Sequence, residues 1–433
     1  MLWLPDQDAL TQLARARRRR WQWRVAYCLV FLFLLFGLGE AATPPQGALL
    51  VELEAITTPH RFDFVDWESQ NLAAELQRRW QPPALPESVT TQQALIQAFL
   101  RQEEQLLAVK GELARSHATR TTTSPDTNAL AEKLGQIHRT QSKIKTQVEL
   151  LLAQQIEAVL HDEGFTIAGA VFPPVAFRLI DPPTALILSP RDRIQNQYFV
   201  ALQPGLTSQQ RAEIESALDQ RGDISSYITD IGGLGSYPTM VIQHAFLPYL
   251  LDTIAHEWTH NYLFTFPTAI AWSYQTDPHL TTINETTASL VGAEISRKVI
   301  TRFYPDWLDQ LPAINRAGEA ALAKPSEFHL AMRRIRQEVD RLLAAGEIEA
   351  AEAYMETERL KLVEQGYPLR KLNQAYFAFH GSYALSPGSI DPTGPQIRQL
   401  RAASPSLKSF LDRVGWLNSS ADYAAWLVEA GLN

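Results

Sequence analysis

Three side chains able to do chemistry stand within five residues, His256-Glu257-Trp258-Thr259-His260. On a helix, positions four apart share a face, so both imidazoles reach one ion. Neutral imidazole suits zinc, and a catalytic zinc takes three protein ligands and keeps one position for water. Glu257 lies one residue off the histidine axis, where a carboxylate takes a proton from water activated at the metal. The single cysteine, Cys28, permits neither an intramolecular disulfide nor a cysteine metal site. The expected cofactor is therefore Zn2+ held by histidine and carboxylate.

A third ligand must come from elsewhere. Leu263 and Phe266 stand three and six residues beyond His260, which excludes a metzincin, where glycine and histidine are required. Glu285 is the expected third ligand. It begins a helical face of small residues, Ala288, Ser289, Gly292 and Ser296, that lets its helix approach the metal helix closely. Thr282-x-x-Glu285 also has the spacing of a capping box, and Asp277 and His279 are alternative ligands. Acyl chemistry further needs donors to an oxyanion. Tyr376, His380 and Tyr383, at i, i+4 and i+7, offer them; His380 and Tyr383 are the expected pair, with His244 and Tyr262 as alternatives.

His256-Glu257-Trp258-Thr259-His260 followed by Asn284-Glu285 resembles the gluzincin metallopeptidases, the group of thermolysin-like proteases and zinc aminopeptidases. The resemblance covers about Tyr237 to Ser296. It implies zinc on His256, His260 and Glu285, with Glu257 as the base. Two departures stand out. The gap of 24 residues between His260 and Glu285 is somewhat long, and Ser289 occupies the place where thermolysin-like enzymes carry an acidic residue. Asp252, one turn before His256, is a substitute that could orient an imidazole.

The elements that must position these groups are legible in outline. Leu247 to Phe266 lacks glycine, carries Pro248 in its first turn and meets Pro267 at its end, which predicts a helix. A strand over Tyr237–Ile242 precedes it. Gly232-Gly233-Leu234-Gly235 before that strand reads as a flexible loop; alternatively the strand Tyr237–Ile242 is itself the edge on which a substrate backbone is laid, with the glycines allowing close approach. A second helix is expected over Thr281–Phe303. Further strands are expected at Leu49–Leu53, Val175–Ile180, Ala185–Leu188 and Tyr198–Leu202. Helices are expected at Trp67–Trp80 and Thr207–Gln220, and an antiparallel hairpin from Thr91–Arg115 and Asn128–Leu160 turning through Ser116–Asp126. Glu327–Ala345 and Glu347–Gln365 form another hairpin, and Leu372–Tyr383, Pro395–Ala403, Ser406–Val414 and Ala421–Glu429 complete the chain.

The fold class expected is thus α+β and mostly helical. It has a zincin-like core with a small mixed sheet, an N-terminal helical hairpin and a helical C-terminal part. The segments are 1–45 (basic tail, apolar anchor and linker), 46–163 (juxtamembrane segment and hairpin), 164–303 (core) and 304–433 (helical part completing the cleft). The formal charge of −8 over 433 residues divides into +4 for residues 1–24 and −12 for the rest. An acidic body argues against nucleic acid as a partner. Arg15–Arg24 before the uncharged run Val25–Leu38 predicts a retained signal anchor. On that reading the N-terminus is cytoplasmic, a single span crosses the cytoplasmic membrane and the catalytic body lies outside. The expected function is a zinc-dependent peptidase acting on a peptide or protein. The alternative is a membrane-anchored scaffold whose helical hairpins bind partners and whose histidine pair is structural or incidental.

Overall fold

The computed structural model describes residues 48–118, 125–272, 277–307, 327–381 and 392–432. The chain divides into two compact units, Met1–Thr58 and Pro59–Asn433. In the first, the described chain is a helix, α1 (Ala48–Thr57), where the sequence suggested a strand at Leu49–Leu53. The correction has a physical basis. Ala, Leu and Glu dominate the segment and are strong helix formers, so propensity outweighs the short apolar alternation.

The second unit is α+β and mostly helical, as expected. Helix α2 (Phe64–Trp80) starts at an Asp63 cap whose carboxylate accepts the Asp66 N–H. The long helices α3 (Val89–Ala118) and α4 (Pro125–Asp162) form the expected antiparallel hairpin. Leu106 and Val109 pack with Ile137, and the Gln141 amide donates to buried Glu103 at 2.8 Å. Three small sheets follow. β1 (Thr166–Ile167) and β2 (Ala170–Val171) pair antiparallel. β3 (Phe177–Ile180), β8 (Thr239–Ile242) and β7 (Gly233–Leu234) form a mixed sheet in that order, β3 parallel and β7 antiparallel to β8. β5 (Tyr198–Leu202), β4 (Thr184–Pro190) and β6 (Ile224–Asp230) form an antiparallel sheet with β4 in the centre and buried throughout. Helix α5 (Ser208–Asp219), with a capping box of Thr207 and Gln210, packs on β6.

Two helices carry the site, α6 (Leu247–Leu263) and α8 (Pro278–Phe303), joined through the single turn α7 (Ala269–Trp272). Leu250, Leu251, Ile254 and Trp258 of α6 enter one continuous core with Ile96 and Phe99 of α3, Val148 and Leu152 of α4, and Ile283 and Val291 of α8. The remaining helices are α9 (Glu327–Ala344), α10 (Ile348–Glu364), α11 (Gln374–Gly381), α12 (Thr393–Ala403), α13 (Leu407–Gly415) and α14 (Ser420–Glu429). α9, α10 and α11 share a separate core, and Ala375 and Ala378 of α11 cover Ala185 and Ile187 of β4. α12, α13 and α14 join the core of α6 and α8.

The expected single-pass membrane anchor is corrected. No helix among the described residues is long and apolar enough to cross a membrane. The longest, α4, carries a charge on nearly every turn, including Glu132, Lys133, Arg139, Lys143, Lys145 and Glu149. The run Val25–Leu38 lies outside the described residues.

A buried ionic cluster staples α2 and α4 to β3. Glu149 accepts the Leu179 N–H at 2.9 Å and faces Arg78 at 3.6 Å and Arg178 at 3.5 Å. Arg78 and Arg178 also meet the second carboxylate, Glu75, at 2.7 and 3.2 Å. Side-chain exposure across the four is between 2% and 12%, so solvent cannot replace a missing partner. Removing one carboxylate leaves a buried guanidinium uncompensated. Glu149→Ala is expected to lower unfolding free energy by about 3–5 kcal/mol. Denaturant titration measures this; a loss below about 1 kcal/mol, the size for an exposed pair, would contradict the staple.

Candidate metal centre

Helix α6 presents its chemistry on the face opposite the core. Trp258, on the core side, is locked by an indole N–H bond to the Pro173 carbonyl at 2.8 Å. His256 and His260 project together toward α8, with Nε2 atoms 3.1 Å apart. Glu285 comes from α8, its Oε2 3.5 Å from His256 Nε2 and 3.7 Å from His260 Nε2. These residues form the one group with metal-ligand geometry among the described residues. Two bonds of about 2.0–2.1 Å at a tetrahedral angle place their ligand atoms about 3.4 Å apart. The three observed separations bracket that value, so the donor set fits a small tetrahedral dication.

Helix α8 begins at Pro278, three residues earlier than the sequence suggested. Asp277 is its cap, accepting the N–H groups of His279 and Leu280 at 2.9 and 3.3 Å. Glu285 therefore sits in the helix body and Thr282 is no cap; its hydroxyl donates to the Pro278 carbonyl at 3.0 Å. The capping-box reading of Glu285 is thereby removed. The alternative ligands are engaged elsewhere. His279 Nδ1 meets Ser420 Oγ at 2.9 Å and its ring packs edge-on against Tyr423, while Asp277 Oδ2 accepts from Ser420. The small-residue face works as expected. A Cβ on Gly292 would stand 2.7 Å from the Asp252 carbonyl and 3.3 Å from His256 Cβ, so its absence allows the two helices to touch.

Two functional residues escaped the sequence reading. The Asn284 amide donates to the Ile270 carbonyl at 2.8 Å, which fixes its oxygen toward His260 Nδ1 at 3.0 Å. Nδ1 must then carry the proton, leaving the His260 Nε2 lone pair aimed at the cluster. The available signal was an asparagine immediately before the proposed ligand Glu285; the structure buries it fully. Asn261 donates to the Ser236 carbonyl and Thr239 hydroxyl at 3.2 and 3.0 Å, which ties α6 to the β7–β8 turn.

The glycine stretch belongs to the site. Gly233 lies in β7, the edge strand of its sheet, and a Cβ there would stand 2.4 Å from Glu257 Oε1. A Cβ on Gly235, two residues on, would meet His260 Cβ at 3.4 Å, and one on Gly232 would meet the Tyr249 hydroxyl at 2.6 Å. The strand backbone therefore runs along Tyr249, Glu257 and His260 in turn. Side chains at these glycine positions would close that contact.

The electrostatics follow from burial. Desolvation, with the Glu285 charge adding to it, pushes the Glu257 carboxyl up to about 7. Desolvation lowers His260 to about 4. Burial also opposes a charge on His256, but the bond to Glu285 and the charges of Glu257, Glu285 and Asp252 outweigh it and raise that imidazole to about 9. In the metal-free protein one proton thus sits on the pair, at His256. A dication would take its place and act on Glu257 in the opposite direction.

The expected oxyanion donors divide. Tyr383 lies outside the described residues. His380 does not join the cluster; its ring packs against Tyr376 at 4.3 Å, Tyr227 at 6.0 Å and Phe379 at 5.1 Å. Burial among these rings lowers it to about 4, so it is neutral. Tyr262 is turned to the core side of α6, bonded to Asp412. His244 packs against Tyr249 at 4.5 Å, and its Nδ1 accepts the Phe246 N–H at 3.0 Å, which leaves the proton on Nε2 as a donor.

No known protein family, curated protein or solved structure matches the chain. If the cluster holds zinc, His256→Ala, His260→Ala and Glu285→Ala are each expected to abolish its tight binding, since two ligands hold the ion poorly. Asn284→Ala should weaken it by about 10–100-fold. Metal content after dialysis and competition with a chromophoric chelator read both effects. Full zinc occupancy in Glu285→Ala would strike it from the ligand set.

Proposed function

We propose that the protein is a zinc-dependent peptidase of gluzincin type, with His256, His260 and Glu285 as metal ligands and Glu257 as general base. The observation that carries this reading is the convergence of the three ligand atoms at tetrahedral spacing beside a buried carboxylate and a glycine-lined edge strand. A bound zinc supplies Lewis acidity toward a carbonyl oxygen and lowers the pKa of water. The chain supplies the rest. β7 offers an edge where an extended peptide backbone is laid antiparallel, and Gly233 and Gly235 let that edge approach Glu257 and His260. Glu257 accepts a proton from the attacking water as the new carbon–oxygen bond forms. It returns that proton to the departing amine nitrogen as the carbon–nitrogen bond breaks.

A donor to the oxyanion comes from His244, whose Nε2–H belongs to the aromatic pair beside Gly232, or from Tyr383. The rival, a scaffold built on the helical hairpins, needs no turnover.

Glu257→Gln keeps the size of the side chain but cannot take the proton. At matched zinc occupancy, peptide-library cleavage should fall at least about 10²-fold while zinc content holds. Gly233→Ala should also lower turnover, because its Cβ displaces the Glu257 carboxylate. Equal cleavage by wild type and Glu257→Gln would defeat the mechanism. No cleavage of any peptide by zinc-loaded wild type would favour the scaffold.

A further inference from the structure

The two histidines are not held alike. His260 Nδ1 has the Asn284 oxygen at 3.0 Å. Among the described residues, His256 Nδ1 has only a long approach to Ser289 Oγ, 3.5 Å, at the limit of hydrogen bonding. A metal-ligating imidazole almost always donates its second N–H to a carboxylate, a carbonyl or water, which fixes the ring and raises its basicity. His256 needs such a partner, and a carboxylate stands beside it.

That carboxylate is Asp252, one helical turn earlier on α6. Its Oδ1 is buried and accepts no hydrogen bond among the described residues. No lysine or arginine pairs with it there; the charged group it faces is His256. Its place is shaped by α8. The position a Gly292 Cβ would take lies 2.7 Å from Asp252 Oδ1 and 3.3 Å from His256 Cβ, so the missing side chain makes room for the carboxylate next to the imidazole. A buried carboxylate oxygen that accepts no hydrogen bond is costly to the folded chain, and a donor or water carried between it and His256 would offset that cost.

We propose that Asp252 is the positioning residue of the metal centre: its carboxylate holds His256 Nδ1 in register, through the Ser289 hydroxyl or one water, and supplies negative charge to the bound ion. The inference rests on the zinc reading of the site. It concerns how the ion is held and not which bond is cleaved. The structure divides the task between two helices, an amide of α8 for His260 and a carboxylate of α6 for His256.

The test is zinc affinity and the melting temperature of the metal-free full chain. Asp252→Asn should bind one zinc about 10–100-fold more weakly than wild type. The metal-free variant should stay folded and melt within a few degrees of metal-free wild type, because Asp252 Oδ1 accepts no hydrogen bond that asparagine would lose. Ser289→Asp in the Asp252→Asn background places a carboxylate at the position that already faces Nδ1 and should recover affinity. Unchanged zinc affinity in Asp252→Asn overturns the proposal. So does weakened binding with a lower metal-free melting temperature, which marks a structural role, or no recovery on Ser289→Asp. If wild type itself binds no zinc, the metal-centre reading fails as well, and that arm separates the two failures.

Discussion

The site depends on how closely α6 and α8 approach each other. Where they cross, Gly292 faces the backbone of Asp252 at a distance that no Cβ tolerates. One methyl group there would part the helices. Glu285 would then withdraw from two imidazoles that it now meets at 3.5 and 3.7 Å. The crossing also brings Asn284 to His260 and Ser289 to His256, so ligand and supporting contacts are set by one packing event. Core burial supplies the force. Leu250, Ile254 and Trp258 on one helix and Ile283, Val291 and Ile295 on the other are almost wholly removed from water, and burial of this kind stabilises by roughly 25 cal/mol per Å².

The mixed sheet adds the second wall. β8 leads directly into α6, and β7 folds back antiparallel on β8 to lie along the helix. Asn261, next to His260, bonds the turn between these strands. The same helix thus carries His256, His260, Glu257 and the anchor of the strand beside them. Glycine at 233 and 235 is what permits the contact, since Glu257 occupies the space a side chain would take.

The sequence made the pairing of His256 with His260 and the small-residue face behind Glu285 readable, because each depends on the spacing along one helix. It made the start of α8 harder to place. Asp277-Pro278 is a strong helix start, but the proline and polar residues around it also resemble a loop. β6 was missed because ISSYITD looks too polar for a buried strand. Ser226 is satisfied by Asp219 and the Glu215 carbonyl, and Asn373 and Arg370 accept no role until the chain folds back onto it. Asn284 and Asn261 work through distant carbonyls, and no local pattern encodes those partners. The substrate edge expected at Tyr237–Ile242 is corrected: that strand, β8, is central in its sheet, flanked by β3 and β7, and the edge beside Glu257 is the glycine strand β7.

On the proposed reading, two imidazoles and one carboxylate hold a single ion with a position left for water. X-ray absorption at the zinc edge of the protein loaded with one equivalent of zinc tests this most directly. The account predicts four nitrogen or oxygen neighbours at about 2.0–2.1 Å with outer-shell scattering from two imidazoles. Scattering from three or more imidazoles, or from none, would contradict it.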